Sequence, residues 1–228
     1  MVRAIVLLSG GLDSSTALAI ADEKGYEIVA LTFDYGQKHV REIESASKVA
    51  KYYHVTEHLV LPLQLGGILK SSLTQRSMRV PKGRSRSKIS SGIPSTYVPG
   101  RNIIFLAIGA SIAESLGADR LIIAANSIDF SGYPYCTPEF IDSFQRMLDV
   151  GTKVGKGRGR IHIEAPLLRM SKAEIVREAV RRKVPLELAW SCYSGGSKAC
   201  GLCDSCILRL EGFAKAGLKD PIEYRVRG

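Results

Sequence analysis

The sequence has no uninterrupted apolar run of about 18 residues, the length a helix needs to cross a bilayer, so it holds no membrane-spanning helix. Its N-terminus shows no separate charged region, apolar region and cleavage site, because the first apolar run, Ala4 to Leu8, is of strand length; a cytoplasmic protein is expected. Two nucleotide signatures are missing as well: no Gly-Lys-Ser/Thr closes a Walker A loop, and the G-x-G-x-x-G spacing does not occur. Acids are scarce beside bases, 22 against 32, which gives a net charge of +10. That balance favours polyanionic partners, ATP and RNA among them. The two dense basic runs, Lys70 to Lys88 and Lys153 to Arg160, contain no aromatic residue. Nucleic-acid modules interleave aromatics with their cations, so the runs read as mobile, solvated, phosphate-covering loops, and no direct nucleic-acid partner is required.

With 228 residues and 45% hydrophobic content, the chain can bury a full core as one domain or as one domain with a small appendage. Apolar strand-like runs at Ala4–Leu8, Glu27–Phe33, Glu57–Leu63, Leu121–Ala125 and Ile161–Ala165 alternate with helical patterns at Glu42–Tyr53, Asn102–Leu116 and Pro138–Val150. Such alternation implies βαβ units, hence an α/β fold: three layers around a doubly wound, mostly parallel five-stranded sheet. Ligands on these sheets sit at the carboxyl ends of the strands, where Ser9–Ser15, Asp34–Gln37 and Asn126–Cys136 lie. Between Gln64 and Pro99 the periodicity fails, and residues 64–99 read as a basic lid or a poorly ordered insertion.

The most legible stretch is Leu8-Ser9-Gly10-Gly11-Leu12-Asp13-Ser14-Ser15-Thr16-Ala17-Leu18. A buried strand runs into it, and a helix begins within it. The two glycines let successive N–H groups converge on one anion, Ser14, Ser15 and Thr16 offer hydroxyls at the first turn, and the helix dipole adds attraction. An ordinary glycine-rich turn is the plain alternative. The Ser-Gly-Gly-x-Asp-Ser string, however, resembles the PP-loop of the ATP pyrophosphatases, which cleave ATP between its α- and β-phosphates, so Leu8 to Leu18 are expected to bind ATP. Further on, Ser171-Lys172-Ala173-Glu174 has the pattern of a capping box. Lys172 enters that helix's first turn, where a cation gains nothing from the dipole, and a bound phosphate would account for it.

Four of the five cysteines, Cys192, Cys200, Cys203 and Cys206, follow a C-x7-C-x2-C-x2-C spacing. Four thiolates so placed close a tetrahedral zinc shell with no open position, hence one structural Zn²⁺; an iron–sulfur cluster is the competing reading. Large apolar residues are few from Trp190 to Gly217, and a metal would supply the missing folding free energy. The expected division is therefore residues 1–185 as the ATP-binding α/β domain and 186–228 as a zinc-binding segment packed on it. Cys136 reads as a small packed loop residue, with substrate contact as the alternative.

Taken together, Ser9-Gly10-Gly11-Leu12-Asp13-Ser14, Tyr35-Gly36-Gln37-Lys38-His39, Val98-Pro99-Gly100-Arg101-Asn102, Asp129-Phe130-Ser131-Gly132-Tyr133-Pro134 and Trp190 through Arg209 resemble the 7-cyano-7-deazaguanine synthase family over nearly the whole chain. The resemblance implies an enzyme that converts 7-carboxy-7-deazaguanine, ammonia and ATP to the nitrile, a precursor of modified tRNA bases, through an adenylated acid, an amide and an adenylated amide. It implies catalytic roles for Ser9, Asp13, Ser14, Arg101 and Lys172, with Asp13 helping to hold Mg²⁺ and Arg101 and Lys172 neutralising phosphate. Asp129, Ser131 and Tyr133 are expected to read the base, and the superfamily makes a homodimer compatible. The sequence departs from the family's usual Asp-Cys-Arg at Tyr135-Cys136-Thr137, which removes one carboxylate and one cation near the substrate. A PP-loop tRNA thiolase or lysidine-type ligase that adenylates RNA, and a non-enzymatic zinc module that binds RNA or protein, are the alternatives.

Overall fold

The computed structural model describes residues 1–38, 40–126, 133–157 and 159–226. Five parallel strands, β1 (Arg3–Leu7), β2 (Glu27–Asp34), β3 (Glu57–Pro62), β4 (Arg120–Ile122) and β5 (His162–Glu164), pair in the order β3-β2-β1-β4-β5. The order reverses between β1 and β4, and a crevice opens at the carboxyl ends of those two strands. The expected α/β class and five-strand parallel sheet are thus observed.

Side-chain alternation along β1 divides the core. Ala4 and Val6 face a layer containing α1 (Leu12–Glu23), α2 (Arg41–Tyr52) and α7 (Lys172–Arg181), while Ile5 and Leu7 face α4 (Arg101–Leu116) and α5 (Pro138–Gly151). Helix α1 is covered on more sides than an amphipathic stripe requires, because α7 packs over its outer face. Ser15 and Thr16 are consequently fully buried: Thr16 Oγ1 donates to Leu12 O at 2.7 Å, and Ser15 Oγ has no partner among the described residues. The capping box at α7 is formed, with Ser171 and Glu174 bonding reciprocally. Strand β4 is shorter than the apolar run suggests; after a last bond from Ile123 N to Glu164 O, the chain turns toward the crevice.

Segment 64–99 carries only one short helix, α3 (Arg86–Ile89), yet Leu73, Ile89 and Val98 are buried, and Ser72 N donates to Ser95 O at 2.7 Å. Its basic run is not a free loop. Gly83 N donates to Leu202 O, and Arg84 pairs with Asp204 at 2.9 Å, which docks the segment on the cysteine-rich region. In the second run, α6 (Lys153–Lys156) is a single turn and Arg160 clamps Asp149 at 2.7 and 3.0 Å. No described helix is long and apolar enough to cross a membrane.

The C-terminal segment folds back through α8 (Asp204–Lys215) and a buried ion pair. Arg209 is 2% exposed; it donates to both oxygens of Asp220, to Ala189 O and to Leu186 O, while Tyr224 donates its hydroxyl to Asp220. Such a pair is tolerable inside because every polar atom has a partner. Asp220→Ala leaves the guanidinium buried and uncompensated, and unfolding free energy measured by denaturant titration should fall by about 3–5 kcal/mol.

Candidate active site and metal centre

The crevice between β1 and β4 is a cavity of about 290 Å³, near the lower limit for small-molecule sites. Its floor is the loop Leu8–Ser14. Gly10 adopts φ +75°, and a Cβ there would lie 2.3 Å from Ala46 N and 2.6 Å from Glu42 O, so only glycine lets the loop press against the start of α2. Gly11, the residue before α1, provides no side-chain cap, which leaves the first-turn N–H groups directed at the crevice. Ser14 fixes the loop's shape: its hydroxyl accepts from Ser9 N at 3.2 Å, lies 3.0 Å from Ser9 Oγ, and bonds Gly11 O. Of the stretch Leu8 to Leu18, the cavity is lined by Leu8, Ser9, Gly11, Leu12, Asp13 and Ser14. The hydroxyls of Ser15 and Thr16 point into the core instead, a correction to the expectation that they face a ligand.

Asp13 and Lys172, 159 positions apart, form one ion pair, with Nζ 2.8 Å from Oδ1 and 2.6 Å from Oδ2. The lysine stem passes over Gly212 of α8, where a Cβ would lie 2.4 Å from Lys172 Cγ. The cation at the start of α7 therefore already has an anionic partner. Arg101 opens α4 on the opposite wall, with its guanidinium 5.7 Å from the Tyr135 ring centroid. Tyr133 also lines the cavity; its hydroxyl is engaged with Thr96 at 2.8 Å, and its ring stacks on Tyr135 with centroids 5.6 Å apart. Asp129 and Ser131 lie outside the described residues. Cys136 lines the same wall, and burial pushes its thiol up.

Sequence reasoning missed Glu42. It sits in the first turn of α2, where an acid is ordinarily explained by the helix dipole, yet its carboxyl lines the cavity, and burial pushes its pKa up to about 7. The turn after β2 that carries it into place is pinned by Gln37, which accepts from Tyr35 N and donates to Phe33 O. Tyr35, in the same turn, is pushed up to about 12 by burial.

The four cysteine sulfurs lie within 4.8 Å of one another, all buried and none in a disulfide. Main-chain N–H groups point at them: Ser194 and Cys200 donate to Cys192 Sγ, and Leu202 and Cys203 donate to Cys200 Sγ. The Cys203 and Cys206 thiols, with the Cys200 and Ser194 amides, hold Cys192 far below the ordinary thiol range. A closed, buried cluster of four sulfurs fits a metal ion. The centre reaches the loop through Trp190, whose N donates to Gly10 O at 2.8 Å, and through Ser191, whose Oγ lies 3.5 Å from Leu12 N and accepts from Arg209. Arg41 of α2 stacks over Trp190 at 3.9 Å and bonds Gly196 O and Ser197 O.

A sequence model of the queuosine biosynthesis protein QueC family matches residues 3–217. The chain belongs to that family. It is 50% identical over 229 aligned residues to 7-cyano-7-deazaguanine synthase 2 of Desulfitobacterium hafniense, covering 100% of this chain and 95% of that protein. It is 51% identical over 222 residues to the 7-cyano-7-deazaguanine synthase of Thermoplasma acidophilum, covering 97% and 92%. Among solved structures, NMN synthetase from Francisella tularensis superposes with a TM-score of 0.47 at 16% identity, covering 95% of this chain and 78% of that one, too distant to bear on chemistry. The QueC match spans both the glycine loop and all four cysteines. If the metal centre props the loop as the bonds from Trp190 and Ser191 indicate, stripping the metal with a chelator should lower the melting temperature and open residues 186–226 to protease; metal analysis and limited proteolysis check it.

Proposed function

We propose that this chain converts 7-carboxy-7-deazaguanine and ammonia to 7-cyano-7-deazaguanine at the expense of ATP, supplying a precursor of queuosine- or archaeosine-type tRNA bases. The observation that carries the reading is the full-length identity of about 50% to proteins named for that product, joined to a cavity with a helix N-terminus at one end and an aromatic wall at the other. A carboxylate is a poor acyl donor because oxide must leave. Its oxygen therefore attacks the α-phosphorus of ATP, the bond to the β-phosphate breaks, and pyrophosphate departs. Ammonia displaces AMP to give the amide. The amide oxygen is adenylated in turn, and its loss as AMP, with two protons leaving nitrogen, gives the nitrile.

The residues divide the work by charge. The N–H groups of Gly10 and Gly11 and the Ser9 and Ser14 hydroxyls are the donors for the departing phosphates, already oriented and so free of reorganisation cost at the transition state. Arg101 faces the α-phosphate and the adenylate. Lys172 is held beside the loop by Asp13; when phosphates arrive it exchanges carboxylate for phosphate, and the freed Asp13 is the oxygen ligand offered to Mg²⁺, which prefers carboxylate and phosphate. Tyr133 stacks on the base, with Asp129 and Ser131 as its hydrogen-bonding readers. The four-cysteine centre is assigned a structural Zn²⁺, held by Cys192, Cys200, Cys203 and Cys206; with no position open, it lends folding free energy rather than Lewis acidity. Thiols this close that remain unbridged suit a cytoplasmic enzyme.

Incubation with ATP, 7-carboxy-7-deazaguanine and ammonium should give AMP, pyrophosphate and the nitrile by mass spectrometry, and no ADP. AMP release that required tRNA would favour the RNA-adenylating alternative. Lys172→Ala should lower turnover by roughly 10²-fold or more, as for loss of one transition-state donor, and Asp13→Asn should raise the Mg²⁺ requirement.

A further inference from the structure

Among the described residues two carboxylates line the cavity, Asp13 and Glu42. Asp13 is closed off by Lys172. No hydrogen bond or ion pair joins Glu42's carboxyl to any described residue: Arg101 lines the same cavity without coming within ion-pairing distance of it, and no bond links it to Cys192. An uncompensated carboxyl facing a cavity otherwise furnished with donors is unexpected. Phosphates need cations and N–H groups, and here a negative charge would repel them. The chemistry on the opposite side of the reaction does need such a group, because ammonia exists at neutral pH as ammonium, which has no lone pair to attack with.

We propose that Glu42 is the ammonium subsite and the proton acceptor for the amine step, an assignment that rests on the reaction proposed above. One ammonium proton passes to a Glu42 oxygen and frees the nitrogen lone pair. Nitrogen then attacks the acyl carbon of the adenylated acid, the C–N bond forms, and the C–O bond to AMP breaks with its electron pair going to AMP. The second nitrogen proton, lost as the amide forms, leaves through water once Glu42 has released the first. The position suits this role, since Glu42's own main chain abuts Gly10 and an amine held at its side chain stands beside the loop that binds the departing phosphates. The charged and titratable groups facing it are Tyr35 from the turn after β2, Arg101 from α4 and Cys192 from the metal segment. Its partial burial in the cavity favours the neutral acid, the form it takes on accepting a proton.

The test uses the full chain with its metal retained, comparing wild type, Glu42→Gln and Glu42→Asp. Substrate-dependent exchange of labelled pyrophosphate into ATP reports adenylation, which needs no amine; amide and nitrile formation over an ammonium series reports the step assigned to Glu42. The Gln variant is expected to raise the KM for ammonium at least tenfold at pH 7 while exchange changes much less, and Asp should recover part of the loss. At fixed total ammonium the Gln variant should gain more from raised pH than the wild type, because it depends on free ammonia alone. Hydroxylamine, neutral at pH 7, should release AMP equally well from both. An unchanged ammonium dependence overturns the assignment, as does a loss of exchange equal to the loss of amide formation, the mark of a Mg²⁺ ligand. Absence of exchange in the wild type overturns the reaction itself, and the assignment with it.

Discussion

Gly10 is gripped from two directions. Its carbonyl takes the Trp190 N–H at 2.8 Å, and its α-carbon lies so close to Ala46 N and Glu42 O that no side chain could be added. The loop at the end of β1 therefore does not set its own shape. One flank is the first turn of α2, and the other is the segment that leads into the four cysteines. Helix α8 belongs to the same clasp, because its N-cap is Cys203 and its Arg209 bonds Ala189 O, Leu186 O and Ser191. The four-cysteine cluster and the glycine loop, nearly 200 residues apart in the chain, are two ends of one bonded path.

Much of this architecture was legible from the residues because buried parallel strands leave an unmistakable apolar run and a glycine pair breaks it at a fixed place. The sheet, its five strands and the crevice at their carboxyl ends followed from that punctuation. Cysteine spacing was equally readable, since thiolates this close in sequence have few other uses. What could not be read was burial dictated by distant packing. Ser15 and Thr16 look like first-turn donors until α7 is laid over α1, and the run Lys70 to Lys88 looks solvated until Arg84 meets Asp204. The partner that holds Lys172, Asp13 at the other end of the chain, was equally invisible. In each case a partner more than a hundred residues away, or a whole covering helix, decides the outcome, and no local pattern encodes it.

Most buried charge among the described residues is paired. Arg209 and Asp220 are almost completely buried and saturate each other, and Asp13 and Lys172 do the same at the cavity edge. Pairing of this kind removes most of the cost of taking charge out of water. Glu42 departs from this pattern. Its position five residues beyond the Gln37-pinned turn disguised it as an ordinary acid at a helix start, and only the folded cavity shows that it lines the site without an ion-pair partner among the described residues.

The lining of the cavity away from these charges has its own chemical logic. Leu73, Phe105, Tyr133 and Trp190 wall it, each from a different segment, so the sheet alone would leave the crevice open to water. Both adenylates of the proposed reaction, the adenylated acid and the adenylated amide, are lost to hydrolysis when water is abundant. Excluding water raises the yield of each transfer and strengthens every hydrogen bond that the loop offers to phosphate. Segment 64–99 gives Leu73 to that wall and is tied to the cysteine-rich segment through Gly83 and Arg84. The metal segment then serves two ends from one position, holding the loop in shape at Gly10 and walling the chamber in which that loop works.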